Sequence, residues 1–298
     1  MDVRDRVAAG LLLDGGLATE LERAGADLGD ELWSARVLLE EPARIRAAHT
    51  AFFHAGADVA ITASYQVSYD GFGRAGLDRA ETARLLTWSV RLARDAAGEV
   101  GGDRLVAASV GPYGASLADG SEYVGDYGLT AAELAAWHRP RLEVLVAAGA
   151  DLLAVETIPS IVEAEAIVAL LGQVPEARAW VAFSCRDGAR ISDGTALADA
   201  AALAASIPQV VAVGVNCTPP AFVPSLLASA AGTGAALLAY PNVGSTWDAT
   251  ARAWRAEGPR PDLAAASVSW RAAGATLVGG CCGVTPDDIA AIAAVGSR

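Results

Sequence analysis

The sequence predicts a (β/α)8 barrel, the TIM-barrel arrangement of an α/β protein. Three observations carry that reading. Short β-rich apolar runs alternate with longer Ala/Leu/Arg stretches of helical character, the alternation counts eight units, and no Ser/Pro-rich linker divides them. Near-continuous apolar strands are buried on both faces, which calls for a parallel sheet, and eight such units close on themselves. An open doubly wound sheet is the alternative. At 298 residues the chain has the length of two average domains or of one large α/β barrel; the unbroken alternation favours a single domain over 1–298.

In chain order the predicted strands are "LLLDG" (11–15), "VAITAS" (59–64), "LVAASVG" (105–111), "LLAVET" (152–157), "WVAFSC" (180–185), "VVAVGVNC" (210–217), "ALLAYPN" (236–242) and "TLVGGCC" (276–282). Each is followed by a helical segment, most clearly at 78–97, 130–148 and 285–295. The echoes "AGADVA" (55–60), "AGADLLA" (148–154) and "AGATLVG" (273–279) read as a helix-ending glycine followed by a strand, the αβ junction of a repeated unit.

A barrel of this kind carries its chemistry at the C-terminal strand ends. Polar and thiol side chains collect there: Asp14, Ser64, Glu156, Cys185, Asn216 with Cys217, Asn242, and Cys281 with Cys282.

Composition removes several function classes. The net charge is −13 without any basic block, so nucleic acid and anionic membranes are excluded as electrostatic partners, whereas a cationic small molecule is compatible. All 22 basic residues are arginine, and the absence of lysine removes Schiff-base chemistry. With only His49, His54 and His138, a metal site built from several histidines is not expected; His138, in a helical stretch just before Pro140, reads as packing. No apolar run reaches the roughly 18–20 residues of a membrane span. The N-terminus lacks the features of a secretory signal, so a cytoplasmic location is expected.

Cys281 and Cys282 admit two readings from the residues alone: small buried hydrophobes, or ligands of a metal. A disulfide between them is disfavoured, because neighbouring Cα atoms about 3.8 Å apart fall short of the usual 4.4–6.8 Å span. As ligands they need a backbone that leaves strict strand geometry, which Gly279, Gly280 and Gly283 permit, and a third ligand from another strand end. Cys217 is the best-placed residue for that role. Three thiolates would describe a zinc site with one open position, unless Cys185 on the neighbouring strand closes it as a fourth ligand.

The carboxylates are open in the same way. Asp14 lies just before Gly15 and Gly16, whose amides can form an anion-binding nest, so an amino acid would suit the pair; Asp14 and Glu156 fit equally well as helix caps. "GFGRAG" (71–76) matches a dinucleotide fingerprint, but its strand ends seven residues earlier, and it reads instead as a flexible βα loop. Trp33, Tyr65, Tyr113 and Tyr127 lie near strand ends where an aromatic face could shelter a cation.

Taken together, "DGGLATEL", "ITASYQ", "SVGPYGASLADGSEY", "GADLLAVET", "ISDGT", "GVNC", "YPNVG" and "GGCC" resemble the homocysteine S-methyltransferase family, in particular its branch using S-methylmethionine or S-adenosylmethionine. The likeness runs nearly end to end. It implies a (β/α)8 barrel holding one Zn2+ through Cys217, Cys281 and Cys282. It further implies that Asp14 and Glu156 meet the ammonium of L-homocysteine and that the Gly15 and Gly16 amides meet its carboxylate. Ser64 and Asn216 join this expected substrate set as strand-end polar groups, and Tyr113 and Tyr65 are the expected donor contacts. Cys185 departs from the family pattern, in line with a bystander. The chain stops soon after GGCC and its helix, without the extension of the betaine-dependent branch, so neither betaine nor an obligate tetramer is expected; a monomer or small homo-oligomer is. The expected activity is transfer of a methyl group from a sulfonium to the zinc-activated thiol of homocysteine, giving methionine. A selenol acceptor such as selenocysteine, or a non-catalytic zinc-stabilised barrel, is the alternative.

Overall fold

The computed structural model describes residues 2–27, 34–248, 253–256 and 258–296. Eight parallel strands form one sheet: β1 (Leu11–Leu12), β2 (Val59–Ile61), β3 (Leu105–Val110), β4 (Leu152–Ile158), β5 (Ala179–Phe183), β6 (Val210–Asn216) and β7 (Ala236–Tyr240), then, after an antiparallel hairpin of β8 (Ser245–Asp248) and β9 (Ala253–Ala256), β10 (Ala275–Val278). The strand order is β1-β10-β7-β6-β5-β4-β3-β2. Its two edges meet through the parallel bridge Leu13–Val59, where the Asp14 N–H donates to the Val59 carbonyl at 3.1 Å. The predicted (β/α)8 barrel is therefore the architecture found. The hairpin between the seventh and eighth barrel strands is an addition that the apolar pattern does not signal.

The αβ junctions follow the predicted echo. Gly56, Gly149 and Gly274 have φ of +104°, +79° and +100°, a backbone that favours glycine and turns each helix into the next strand. The aspartates that follow two of them tie neighbouring strands: Asp58 accepts from the Leu12 N–H at 2.8 Å, and Asp151 from the Val106 N–H at 2.7 Å.

Strand alternation sorts the apolar residues into two layers. Leu13, Val59, Ala107, Ala154, Trp180, Ala182, Leu238, Tyr240 and Leu277 fill the barrel interior, with Val7 of the first helix, Val3–Ala9, among them. Their neighbours Leu12, Ala60, Val106, Leu153, Val181, Val213, Ala239 and Val278 pack outward on the helices. Interior alanines make room for two large rings. Trp180 donates its indole N–H to the Tyr240 hydroxyl at 3.0 Å, and Tyr240 in turn donates to Glu156 Oε2 at 3.2 Å, a polar thread running from the core to the mouth.

Two predicted helices carry full capping boxes: Arg79–Val100, capped by Asp78 with Glu81, and Ala131–Ala147, capped by Thr130 with Glu133. The predicted terminal helix is Pro286–Gly296. The loop expected at "GFGRAG" is instead largely helix, Tyr69–Arg74, because the Ser68 hydroxyl caps it by accepting the Gly71 N–H at 3.1 Å. Several strands stop short of their predicted ends: the eighth at Val278, the fifth at Phe183, the second at Ile61. At this mouth side chains replace main-chain ladder partners, since Asp14 takes the Ile61 N–H at 2.8 Å and Asn216 takes the Thr157 N–H at 2.7 Å. Among the described residues no helix is long and apolar enough to cross a membrane.

Candidate metal centre and adjoining cleft

Two local backbone departures bring three cysteines together. Immediately after β6, Cys217 adopts φ +47°, a left-handed conformation that disfavours non-glycine residues by roughly 1–3 kcal/mol and so persists only where the surroundings impose it. After β10, the Val284 N–H donates to the Cys281 carbonyl at 3.1 Å, closing a four-residue turn with Cys282 and Gly283 at its centre. Gly283 has φ +80°, the third-position geometry of a type II turn. This turn, rather than a distorted strand, lets consecutive thiols face one point. Gly280 is required for packing, since a Cβ there would lie 2.2 Å from a Val284 methyl.

The sulfurs of Cys217 and Cys281 are 2.7 Å apart, those of Cys217 and Cys282 3.5 Å, and those of Cys281 and Cys282 3.9 Å. All four cysteines are free thiols. Hydrogen bonds from the other two thiols hold Cys217 well below the usual thiol range. Those same contacts with Cys217, together with burial, hold Cys281 and Cys282 well above it. One thiolate is thus readily formed, but three require a cation among them, which is how a metal site differs from a cluster of packed thiols. The Tyr123 hydroxyl at 3.8 Å from Cys217 Sγ and the Asn216 amide at 3.9 Å from Cys281 Sγ supply weak supporting donors. The donor set fits a metal. Cys185 stands outside this cluster. Its N–H donates to Thr218 Oγ1 at 3.0 Å, its side chain is buried, and burial pushes the thiol up to about 12. It lies apart from the three clustered thiols.

The thiols form one wall of a cleft that is partly open to solvent. Gly15 to Thr19, where the helix Leu17–Arg23 begins, adjoin the cysteine turn, the Gly283 N–H donating to Thr19 Oγ1 at 2.9 Å; Glu156, Thr157, Tyr65, Glu122, Tyr123 and Tyr240 also line the cleft. Neither Gly15 nor Gly16 has room for a Cβ, which would lie 2.7 Å from Phe52 and Val284 or from Cys281 and Thr19, respectively. The Gly16 N–H is already donated to the Val284 carbonyl at 2.9 Å. This corrects the expectation of a free Gly16 amide: helix geometry leaves the N–H groups of Leu17, Ala18 and Thr19 as the next main-chain donors at this wall.

Asp14 and Glu156 are both buried carboxylates. Asp14 Oδ2 accepts from Ile61 while Oδ1 is buried with no partner. Burial raises Asp14 well above the carboxylate range, with the charge of Glu156 adding to the effect. Burial likewise pushes Glu156 up to about 7, although hydrogen bonds from Ser109 and Tyr240 favour its ionised form. A nearby ammonium would restore both charges. Asp14 caps no helix. Asp14 itself is not among the residues lining the cleft; it lies directly behind Gly15, with its second oxygen unpartnered.

Three expected contacts lie elsewhere. Ser64 donates to the Ser109 carbonyl at 2.7 Å and pairs with Thr62 Oγ1 at 2.8 Å, so this buried hydroxyl is spent inside the wall. Asn216 holds Thr157 by accepting its N–H and donating to its Oγ1 at 2.8 Å, which fixes Thr157 at φ +59°. It supports the cleft from behind. Tyr113 is outside the cleft lining, its ring packed 5.2 Å from Tyr127 and 5.1 Å from Trp137. Of the aromatics expected to face a cation only Tyr65 lines the cleft; Trp33 falls outside the described residues. His138 is buried against Glu163 at 2.8 Å, a packing role as expected. Glu122, Tyr123 and Tyr240 are cleft residues that the sequence reading did not select. Glu122 and Tyr123 follow β3 in a short 3-10 turn, where periodicity is silent, and Tyr240 was hidden in an apolar strand.

Residues 11–295 match the family model for homocysteine S-methyltransferase. The chain is 50% identical over 292 residues to a homocysteine S-methyltransferase of Escherichia coli, covering 95% of this chain and 94% of that one. It is 47% identical over 294 residues to one of Bacillus subtilis, covering 95% and 93%. The metallated form of the Escherichia coli homocysteine methyltransferase superimposes with a TM-score of 0.86 at 48% identity, covering 96% of each chain. The chain belongs to the homocysteine S-methyltransferase family.

Proposed function

We propose that this protein transfers a methyl group from a sulfonium donor, S-methylmethionine or S-adenosylmethionine, to the thiol of L-homocysteine, giving methionine. The observation that carries the reading is the three-thiol cluster forming one wall of a cleft whose other walls offer helix-start N–H groups and Glu156. Three sulfur ligands without a nearby fourth cysteine suit Zn2+ with one exchangeable position. Zn2+ held by Cys217, Cys281 and Cys282 supplies the positive charge that keeps an acceptor thiol deprotonated at neutral pH.

The remaining work falls to the chain itself. Asp14 Oδ1 and Glu156 receive the homocysteine ammonium, each gaining the positive charge that its burial denies it. Main-chain N–H groups at the start of Leu17–Arg23 receive the carboxylate. These contacts fix the acceptor sulfur at the cysteine end of the cleft. The thiolate lone pair forms the new C–S bond, and the donor C–S bond breaks with its electron pair remaining on the donor sulfur, which becomes a neutral thioether. No proton moves in that step. Positioning is the chief contribution of the protein.

The test incubates zinc-loaded protein with homocysteine and each sulfonium in parallel, and with selenocysteine as competing acceptor, and measures products by mass spectrometry. Methionine formed from homocysteine with one or both donors is expected. Preferential methylation of selenocysteine, or no transfer from either donor, would contradict the proposal.

A further inference from the structure

Glu122 is a buried carboxylate in the cleft that neither the metal cluster nor the acceptor site uses. The residue lines the cleft although it is only 3% exposed. Its Oε2 atom is buried without any hydrogen-bond partner. An anion in that position is unfavourable unless a cation faces it, and among the described residues no arginine is paired with it. Burial accordingly pushes the group up to about 7, with main-chain N–H groups partly opposing the shift and the charges of Asp119 and then Cys217 adding to it. The surroundings point to a soft cation rather than a metal. Tyr65 and Tyr123 line the cleft beside Glu122, and aromatic rings with a carboxylate form a setting for an alkylated onium group.

Placement separates this group from the acceptor site. Asp14 and Glu156 couple to each other, and Asp14 lies next to Gly15 and Gly16. Glu122 shares Cys217 and Tyr65 with Glu156 as electrostatic neighbours, but it also faces Cys282 and Tyr123, and it enters the cleft on the turn after β3. We infer that Glu122 is the specificity-determining residue for the methyl donor, facing the positive charge of its sulfonium and so selecting a cationic donor over a neutral one. This inference rests on the methyl-transfer reading above. It carries a kinetic consequence: the sulfonium charge is lost as the methyl group departs, so Glu122 holds the bound donor more strongly than the transition state. The residue therefore acts on KM rather than on kcat.

The experiment compares zinc-loaded wild type, Glu122→Gln and Glu122→Asp using S-methylmethionine and its uncharged carbon isostere 2-amino-5-methylhexanoate. Steady-state kinetics at saturating homocysteine give the donor KM and the inhibition constant of the isostere; calorimetric titration of donor alone gives binding without turnover. Glu122→Gln is expected to weaken S-methylmethionine about 10- to 100-fold, the range for loss of one charged partner, without lowering kcat. The isostere constant, the homocysteine KM and the zinc content should stay within about twofold, and Glu122→Asp should recover part of the donor affinity. Equal weakening of donor and isostere, an unchanged donor KM, a raised homocysteine KM, or loss of zinc would each overturn the assignment. Wild type that prefers the sulfonium over the isostere in calorimetry but makes no methionine would refute the methyl-transfer reading while leaving Glu122 as a sulfonium contact.

Discussion

Cys281 and Cys282 are adjacent in the chain, yet their sulfurs lie 3.9 Å apart and both face Cys217, because the backbone reverses between Cys281 and Val284. Extended neighbours would point to opposite faces. The turn converts the end of a barrel strand into a bidentate thiol pair, and the left-handed Cys217 brings the third sulfur to it.

The cysteines should divide sharply by role. Cys217→Ser should lose metal affinity by more than the roughly 10- to 100-fold associated with residues that merely support a ligand. Cys185→Ser should keep full metal content and activity. Metal analysis after equilibrium dialysis against a calibrated chelator checks both. Metal loss on changing Cys185, with retention on changing Cys217, would reverse the assignment.

Gly280→Ala should disturb the centre without removing a ligand. The new methyl would overlap Val284, which packs under the turn, and forcing a side chain into a filled space costs about 1–3 kcal/mol. Denaturant unfolding should show a loss in that range, accompanied by weaker metal binding. An unchanged midpoint and full metal content would show that the turn tolerates the displacement.

The Glu156 carboxyl gives the metal-free, ligand-free protein a recognisable pH dependence. Its folded value of about 7 lies above the ordinary 4.5, so between those limits the folded state holds the proton more tightly than the unfolded chain. Its contribution is fully present below about 4.5 and is lost as pH rises through about 7, on the order of 3 kcal/mol in all. Glu156→Gln should flatten the decline in Tm between pH 5 and 8 and should raise the homocysteine KM in the metal-loaded enzyme. Identical pH slopes for variant and wild type would refute the burial argument.

Tyr113 and Tyr65 should separate as packing and cleft residues. Tyr113→Leu should lower stability through its contacts with Tyr127 and Trp137 while leaving the donor KM unchanged, whereas Tyr65→Leu should raise the donor KM. Thermal melts beside donor-saturation curves distinguish them. A donor KM that follows Tyr113 instead would return that residue to the site.

The barrel was legible because its strands are apolar on both faces, and the "AGAD" junctions mark where helices hand over to strands. The thiols were legible because cysteine is scarce and all three fall at strand ends. Ser64 and Asn216 were misplaced for a shared reason: position at a strand end says that a side chain is near the mouth, not which way it points, and both are consumed in fixing the wall through Ser109 and Thr157. Glu122 escaped because it sits in an irregular turn after β3, where neither a 2.0 nor a 3.6 period applies. The claim of the Gly16 amide on a substrate carboxylate failed on a single long-range bond to Val284, 268 positions away, which no local pattern encodes.

The central claim is a metal held by three cysteines with one place for the acceptor sulfur, and X-ray absorption at the zinc edge reads it most directly. Zinc-loaded protein should show three sulfur neighbours at about 2.3 Å plus one lighter atom, and homocysteine should replace that atom with a fourth sulfur. Four sulfurs before homocysteine is added, or a spectrum that homocysteine leaves unchanged, would contradict the account.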